Sequence, residues 1–403
     1  MLGLFSDGPS LTGRLKTNCP KAEKPYFRYI ITLFPTIAAT MTDSAYQQQL
    51  NGKIRRIEQL FAPLPVPDLE VFDSPERHYR MRAEFRVWHE GETMFYAMFE
   101  QGRKAGGATM RRCDSFAPAC EAINRLMPRL LAAADRVGVL KNRWYQVEFL
   151  ATLSGEMLVT MIYHKKLDDT WRAAAEEMQN ELGIAVIGRS KGQKIVLKQD
   201  FVTEKLHVNG NPFVYRQYEG SFTQPNAAVC EKMLAWACGV AQHIGGDMLE
   251  LYCGNGNFTL PLARSFDKVL ATEVSKTSVQ AALWNIKANG SGNVKIARLS
   301  AEEFTEAYTG AREFRRLQEQ GIVLADYRFS TIFVDPPRAG IDGETLKLVR
   351  QFDHVIYISC NPETLRTNLD TLAQTHRIRR MALFDQFPFT PHIESGVWLE
   401  KCR

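Results

Sequence analysis

The stretch LELYCGNGNFTL, residues 249–260, decides how this 403-residue chain is read. An apolar strand ends at Tyr252, Gly254 and Gly256 follow, and a helical run begins. Glycines at such a turn let the backbone approach a ligand closely, and a helix N-terminus favours polar or charged groups. The third glycine of a dinucleotide fingerprint is missing, because the motif reads G-N-G-N-F. Seventeen residues past Gly256, Glu273 ends the next apolar segment, VLATEVS. An acidic residue there is placed to accept hydrogen bonds from two ribose hydroxyls.

Working outward, short apolar segments at 248–253, 268–273, 294–299, 331–335, 354–359, 380–385 and 397–401 alternate with helical ones, and a helix is expected from Pro225 to about Ile244. That rhythm implies a parallel sheet with helices on both faces. Strand, G-x-G, then strand ending in Glu is the arrangement of S-adenosylmethionine-dependent methyltransferases. A dinucleotide enzyme, or a tight turn with no ligand, is the alternative on these features alone.

Before residue 216 the pattern differs. Residues 44–61 read as an amphipathic helix, with Leu50, Ile54, Ile57, Leu60 and Phe61 at helical spacing and the prolines from Pro63 to Pro67 after it. In YRMRAEFRVWHEG, Met81, Ala83, Phe85 and Val87 alternate with Arg82, Glu84 and Arg86, a strand with one polar face. Further strands are expected at 94–99, 144–152, 157–163, 185–188 and 194–197, and helices at 118–136, with Pro118 in the first turn, and 168–182. The expected architecture is therefore α/β: a Rossmann-like sheet at 216–403, an α+β domain at 41–215, and an extension at 1–40.

Composition narrows the class. With 45% hydrophobic and 24% charged residues the chain is neither disordered nor fibrous. No apolar run of about 18 residues occurs, so no membrane-spanning helix is expected; Arg28 and Pro35 interrupt the nearest candidate. The eight cysteines include no C-x-x-C pair, which points to a reduced, cytoplasmic compartment without structural zinc or disulfides. In residues 1–40, Arg14, Lys16, Lys21, Lys24 and Arg28 face only Asp7 and Glu23, so this stretch carries +3 of the chain's net +5. Its reading is an extension that packs little, a signal peptide, or a start set too early, with Met41 opening a segment like an ordinary N-terminus.

Three segments carry chemistry. In TIFVDPPRAG (331–340), Asp335 ends a strand, where open α/β sheets bind ligands. In VIYISCNPETL (355–365), Cys360 ends an apolar strand, Asn361 can cap a helix and Pro362 suits its first position. A cysteine beside a helix N-terminus is expected to have a lowered pKa and thiolate character. In FDQFPFTPHIESGVWLE (384–400), Glu394 is expected in a loop before the last strand.

With HYRMRAEFRVWH, YHKKLDD, SFTQPNA and ATEVSK, these segments resemble the RNA uridine-5 methyltransferases, and the resemblance spans roughly residues 44–400. It implies Cys360 as nucleophile toward uracil C6 and Glu394 as the base that removes the C5 proton. It implies Gln224, Tyr252, Asn257, Glu273 and Asp335 as S-adenosylmethionine contacts, and no metal. The substrate it implies is uridine 54 in the T-arm of tRNA. A uridine in rRNA, or an RNA-binding, tRNA-folding protein with secondary methylation, are the alternatives. Iron–sulfur relatives need four cysteines in the N-terminal half, and residues 41–215 hold only Cys113 and Cys120. Candidate RNA contacts are Arg82, Arg86, Arg103, Lys104, Arg111, Arg112, His164, Lys165, Lys166, Arg189, Lys191 and Lys194, with Trp144 and Tyr145 for stacking.

Overall fold

The computed structural model describes residues 44–99 and 107–402. The 1–40 extension, Arg103 and Lys104 lie outside the described residues. Helix α1 (Ala45–Phe61) is capped by Ser44, whose hydroxyl accepts from the Gln47 amide at 3.1 Å. The short strand β1 (Leu69–Phe72) follows.

A seven-stranded sheet is then built from β2 (Arg82–Glu90), β3 (Thr93–Phe99), β4 (Met110–Arg112), β5 (Trp144–Ala151), β6 (Met157–Tyr163), β7 (Ala185–Ser190) and β8 (Gln193–Val196). Their order is β4-β3-β2-β5-β6-β7-β8. Helices α2 (Glu121–Asp135), α3 (Gly138–Lys141) and α4 (Asp169–Leu182) pack on it through Ile123, Leu130, Leu140, Trp171 and Met178. Gly188 lies directly under the Trp171 ring, where a Cβ would overlap the indole. Gly188→Ala is expected to cost about 3 kcal/mol or more, because an overpacked core must move either the indole or the strand. A thermal melt with an unchanged midpoint would contradict that.

The remaining chain runs through the hairpin β9 (Phe201–Val208) and β10 (Asn211–Tyr218), then α5 (Ala227–Ala241), β11 (Asp247–Leu251), α6 (Thr259–Leu262), β12 (Lys268–Thr272), α7 (Lys276–Ala288), β13 (Val294–Ala297), α8 (Ala301–Tyr308), α9 (Arg315–Glu319), β14 (Phe329–Val334), α10 (Gly343–Val349), β15 (His354–Ser359), α11 (Pro362–Leu372), β16 (His376–Phe384) and β17 (Glu394–Lys401). The large sheet has the order β1-β16-β17-β15-β14-β11-β12-β13, with only β17 antiparallel to its neighbours. Alternate residues feed two cores: Leu249, Leu251, Ile332 and Val334 on one face, Met248, Phe333, Ile356 and Ile358 on the other. Burial on both faces explains the continuous apolar runs of these strands.

Four placements differ from the sequence reading. Strand β1 pairs in parallel with β16, and Leu50, Ile57 and Phe61 of α1 join the core of the large sheet, so residues 45–72 pack with the C-terminal layer. The expected boundary at 215 falls inside β10, which docks on α7: the Val214 and Arg216 amides donate to Asn289 and Asn285 at 2.9 and 2.7 Å. Helix α2 begins at Glu121, not Pro118, whose carbonyl instead accepts from the Arg80 amide at 2.8 Å. The helical run after the glycines is only the four residues of α6, with Pro261 inside it.

Candidate active site

The order of strands reverses between β11 and β14, and in open α/β sheets ligands bind beyond the strand ends at such a point. Beyond β11 the chain turns sharply. Tyr252, Gly254 and Gly256 have φ of +62°, +56° and +83°. A bulky residue in the left-handed region costs on the order of 1–3 kcal/mol and persists only where its surroundings impose it. The turn, rather than the short α6, shapes the site. The Gly254 amide donates to one Glu273 carboxylate oxygen at 3.0 Å, and the Ser275 amide to the other at 2.7 Å.

A cavity opens over this turn. Gln224, Tyr252, Asn257 and Asp335 line it, together with Glu250, Cys230 and Phe222. Glu273 does not line it; its carboxylate holds the turn from beside the cavity. The Asn257 carbonyl accepts from the Tyr215 hydroxyl at 3.0 Å, and its amide donates to the Cys230 sulfur at 3.3 Å. Gln224 accepts from Gln386 at 3.3 Å.

Two cavity carboxylates are poised. Burial pushes Asp335 up to about 7 and Glu250 up to about 8. Glu250 Oε2 is buried without a hydrogen-bond partner among the described residues. An acidic, partly unsatisfied cavity suits a cationic, hydrogen-bonding ligand such as S-adenosylmethionine by the chemistry of its lining. The sequence reading missed Glu250, although its placement next to the glycine turn was visible in LELYCG.

Cys360 and Glu394 meet on the next strands. The antiparallel ladder of β15 and β17 pairs Ser359 with Ser395, so one further step sets Cys360 opposite Glu394. Glu394 is the first residue of β17 and pairs with Phe384. The loop expected there is instead a strand, and Glu394 is 5% exposed. Cys360 is partly buried just before α11, where Asn361 caps the helix by accepting from the Glu363 amide at 3.2 Å and Pro362 takes the first turn.

The expected lowering of the Cys360 pKa is overturned. Burial, then the carboxylates of Glu394 and Asp335, push the thiol up to about 11 against the pull of the Arg338 guanidinium. Burial and Asp335 likewise hold Glu394 well above the usual carboxylate range, again opposed by Arg338. Asp335 therefore belongs to both places: it lines the cavity and faces Cys360 and Glu394 electrostatically. Arg338, which follows the two prolines, is the cation of this cluster, and its carbonyl accepts from Asn361 at 2.9 Å. Among the described residues no group of His, Cys, Asp or Glu is placed to hold a metal ion, and no helix is long and apolar enough to cross a membrane.

In the N-terminal sheet, Arg86, Tyr145 and His164 stack. The guanidinium lies 3.5 Å and the imidazole 3.7 Å from the Tyr145 ring centre. Both cannot occupy one face at that spacing, so they cover opposite faces and leave the exposed His164 outermost. Trp144, expected to stack on RNA, is fully buried in the core instead. Arg189 and Lys194 are engaged by Glu219 and Asp200, Arg112 by Asp114, and Lys165 by the Val139 carbonyl.

Residues 45–402 match the family model described as tRNA (Uracil-5-)-methyltransferase. A tRNA/tmRNA (uracil-C(5))-methyltransferase of Neisseria meningitidis serogroup C is 71% identical over 358 residues, 89% of this chain and 98% of its own length. One of Acinetobacter baylyi is 59% identical over 355 residues, 88% of this chain and 98% of its own length. The fold matches that of the Pyrococcus abyssi tRNA (uracil-54, C5)-methyltransferase, solved with S-adenosyl-L-homocysteine, at a TM-score of 0.66 and 20% identity over 88% of this chain and 83% of that one. The chain belongs to the tRNA (uracil-5-)-methyltransferase family.

Proposed function

We propose that this protein methylates C5 of uridine 54 in the T-loop of tRNA, in the cytoplasm, with S-adenosylmethionine as methyl donor. The observation that carries the reading is the convergence of Cys360, Glu394 and Asp335 at the ends of three adjacent strands beside the Tyr252–Asn257 turn. Bound S-adenosylmethionine supplies the methyl group. Gln224, Tyr252, Asn257 and Asp335 would hold it in the cavity, with Glu273 fixing the glycine turn that lines it.

The chain's own residues supply the rest. C5 of uracil is a poor nucleophile, and addition of the Cys360 sulfur to C6 makes it an enolate carbon. After methylation, Glu394 takes the C5 proton; that electron pair restores the C5–C6 double bond and expels the Cys360 thiolate. Arg338 offsets the negative charge of the cluster. A uridine within folded RNA has to leave its stack to reach Cys360. Incubation with labelled methyl donor and separate tRNA and rRNA pools, followed by mapping, tests the reading. Label at uridine 54 of tRNA is expected; label confined to rRNA or to another tRNA position overturns it.

The Arg86–Tyr145–His164 column is the proposed stacking platform for the T-arm. One base stacked on an aromatic ring contributes about 1–3 kcal/mol. His164→Ala is therefore expected to weaken tRNA binding about tenfold to a hundredfold while S-adenosylmethionine binding stays unchanged. Filter binding beside cofactor titration reads both; undiminished tRNA affinity removes His164 from this role.

A further inference from the structure

The loop between β16 and β17 leads into Glu394, and α1 grips it from one side. Asp385, fully buried, opens the loop next to Phe384, the residue that pairs with Glu394. The buried Lys53 ammonium binds the Asp385 carboxylate at 2.6 Å and the Phe387 carbonyl at 2.9 Å. One turn earlier on the same face, Gln49 donates to the other Asp385 oxygen at 2.8 Å and accepts from the Phe389 amide at 3.3 Å. Phe389 itself has φ +58°, a conformation that a bulky residue holds only when its surroundings impose it. Arg56, near the other end of the helix, donates to the Pro391 carbonyl at 2.8 Å.

Helix α1 also reaches the Cys360 side. Arg56 pairs with Glu363 in the first turn of α11, the helix that begins right after Cys360, and Arg366 of α11 donates to the Leu60 carbonyl at 3.2 Å. The residue after Asp385, Gln386, is fully buried as well. It accepts from the Asn226 amide at 3.1 Å and donates to Gln224 of the cavity. One helix thus touches both segments that carry the reacting groups, and the dipeptide Asp385–Gln386 joins that helix to the cavity wall.

We propose that the Lys53–Asp385 pair, with Gln49 and Arg56, forms a positioning clamp that sets Glu394 against the uracil C5 proton. In this proposal the four side chains act through the loop. The inference rests on the reading of Glu394 as base. The clamp governs elimination, in which the C5–H pair becomes the C5–C6 double bond and the Cys360–C6 bond breaks. Methyl transfer, which needs only Cys360 and the bound donor, depends on it far less.

The test uses full-length enzyme and tRNA with labelled methyl donor. The doubly apolar variant Lys53→Met with Asp385→Leu removes the pair without stranding either charge, and such replacement commonly preserves the fold. Single-turnover quench separates label in the denaturation-resistant protein–RNA adduct from label in free tRNA. The clamp predicts adduct formation within about threefold of wild type and release slowed at least tenfold, with Lys53→Arg restoring release toward the wild-type rate. If the apolar pair does not fold, Gln49→Ala with Arg56→Ala loosens the same loop from partly exposed positions, and a threefold slowing of release alone is expected. Equal slowing of both steps, or unchanged release, overturns the clamp. Glu394→Gln run in parallel keeps the two readings apart: if it traps adduct while the clamp variants release normally, only the clamp fails, and if it turns over normally, the base assignment fails first.

Discussion

Replacing Cys360 by alanine is expected to end both methylation and covalent capture of RNA. Without a sulfur to add at C6, C5 never gains enolate character, and positioning alone leaves it unreactive toward a methyl donor. A loss of about 10⁴-fold or more, corresponding to about 5.5 kcal/mol or more of transition-state stabilisation, is expected. RNA carrying 5-fluorouridine at the target has no removable C5 proton after methylation. It should form a complex with the parent protein that survives denaturing gels, and none with Cys360→Ala. Equal adduct in both would remove Cys360 from its role.

The raised thiol gives this prediction a pH signature. The thiolate is the reactive form, and a pKa near 11 leaves only about one thiol in 10⁴ ionised at pH 7. Alkylation of Cys360 in the free protein should therefore rise about tenfold per pH unit above 7 and not level off before about 11. The sign follows first from burial, which disfavours the thiolate, and then from the charges: Glu394 and Asp335 are both negative when ionised, and each opposes a third negative charge at the sulfur. A rate that is flat from pH 7 upward would show instead that the helix end and Arg338 win.

That reversal shows where sequence stops being informative. The segment SCNPET places Cys360 at a helix start, and α11 begins there with Asn361 as its cap. The opposing carboxylates arrive from β14 and β17, whose adjacency to β15 is a fact of sheet order. Glu394 suffered similarly: nothing local distinguishes a loop glutamate from one paired across to Phe384. The Trp144–Tyr145 choice turns on a β-bulge: Trp144 pairs with Tyr163 and Gln146 with Ile162, so Tyr145 is the extra residue and Trp144 enters the core on the side of Val147 and Phe149, where strict alternation would have put Tyr145. By contrast, β11, β12, β14 and β15 were legible because burial on both faces leaves unbroken apolar runs ended by turn residues. The β9–β10 hairpin was also written locally, in the Asn209–Gly210 turn with φ of +50° and +79°, and passed unread. Strand β1 was not local at all, because its partner β16 lies some three hundred residues away.

Glu394→Gln should separate the two halves of the reaction. The amide is nearly isosteric, so the ladder contact with Phe384 and the fold are expected to survive. It also removes a carboxyl whose ionisation burial opposes, so stability should not fall at neutral pH. What is lost is the acceptor for the C5 proton. Methyl transfer and adduct formation should proceed, and release of methylated tRNA should slow about 10²- to 10⁴-fold, the usual range for a missing general base. The same variant takes one negative neighbour from Cys360, so its thiol should ionise at lower pH than in the parent and alkylate faster once Glu394 of the parent is ionised. The two readouts move in opposite directions, faster alkylation and slower release, which no general loosening of the site would produce. Release at the parent rate would exclude Glu394 as the base and turn attention to Asp335, the remaining carboxylate that faces Cys360.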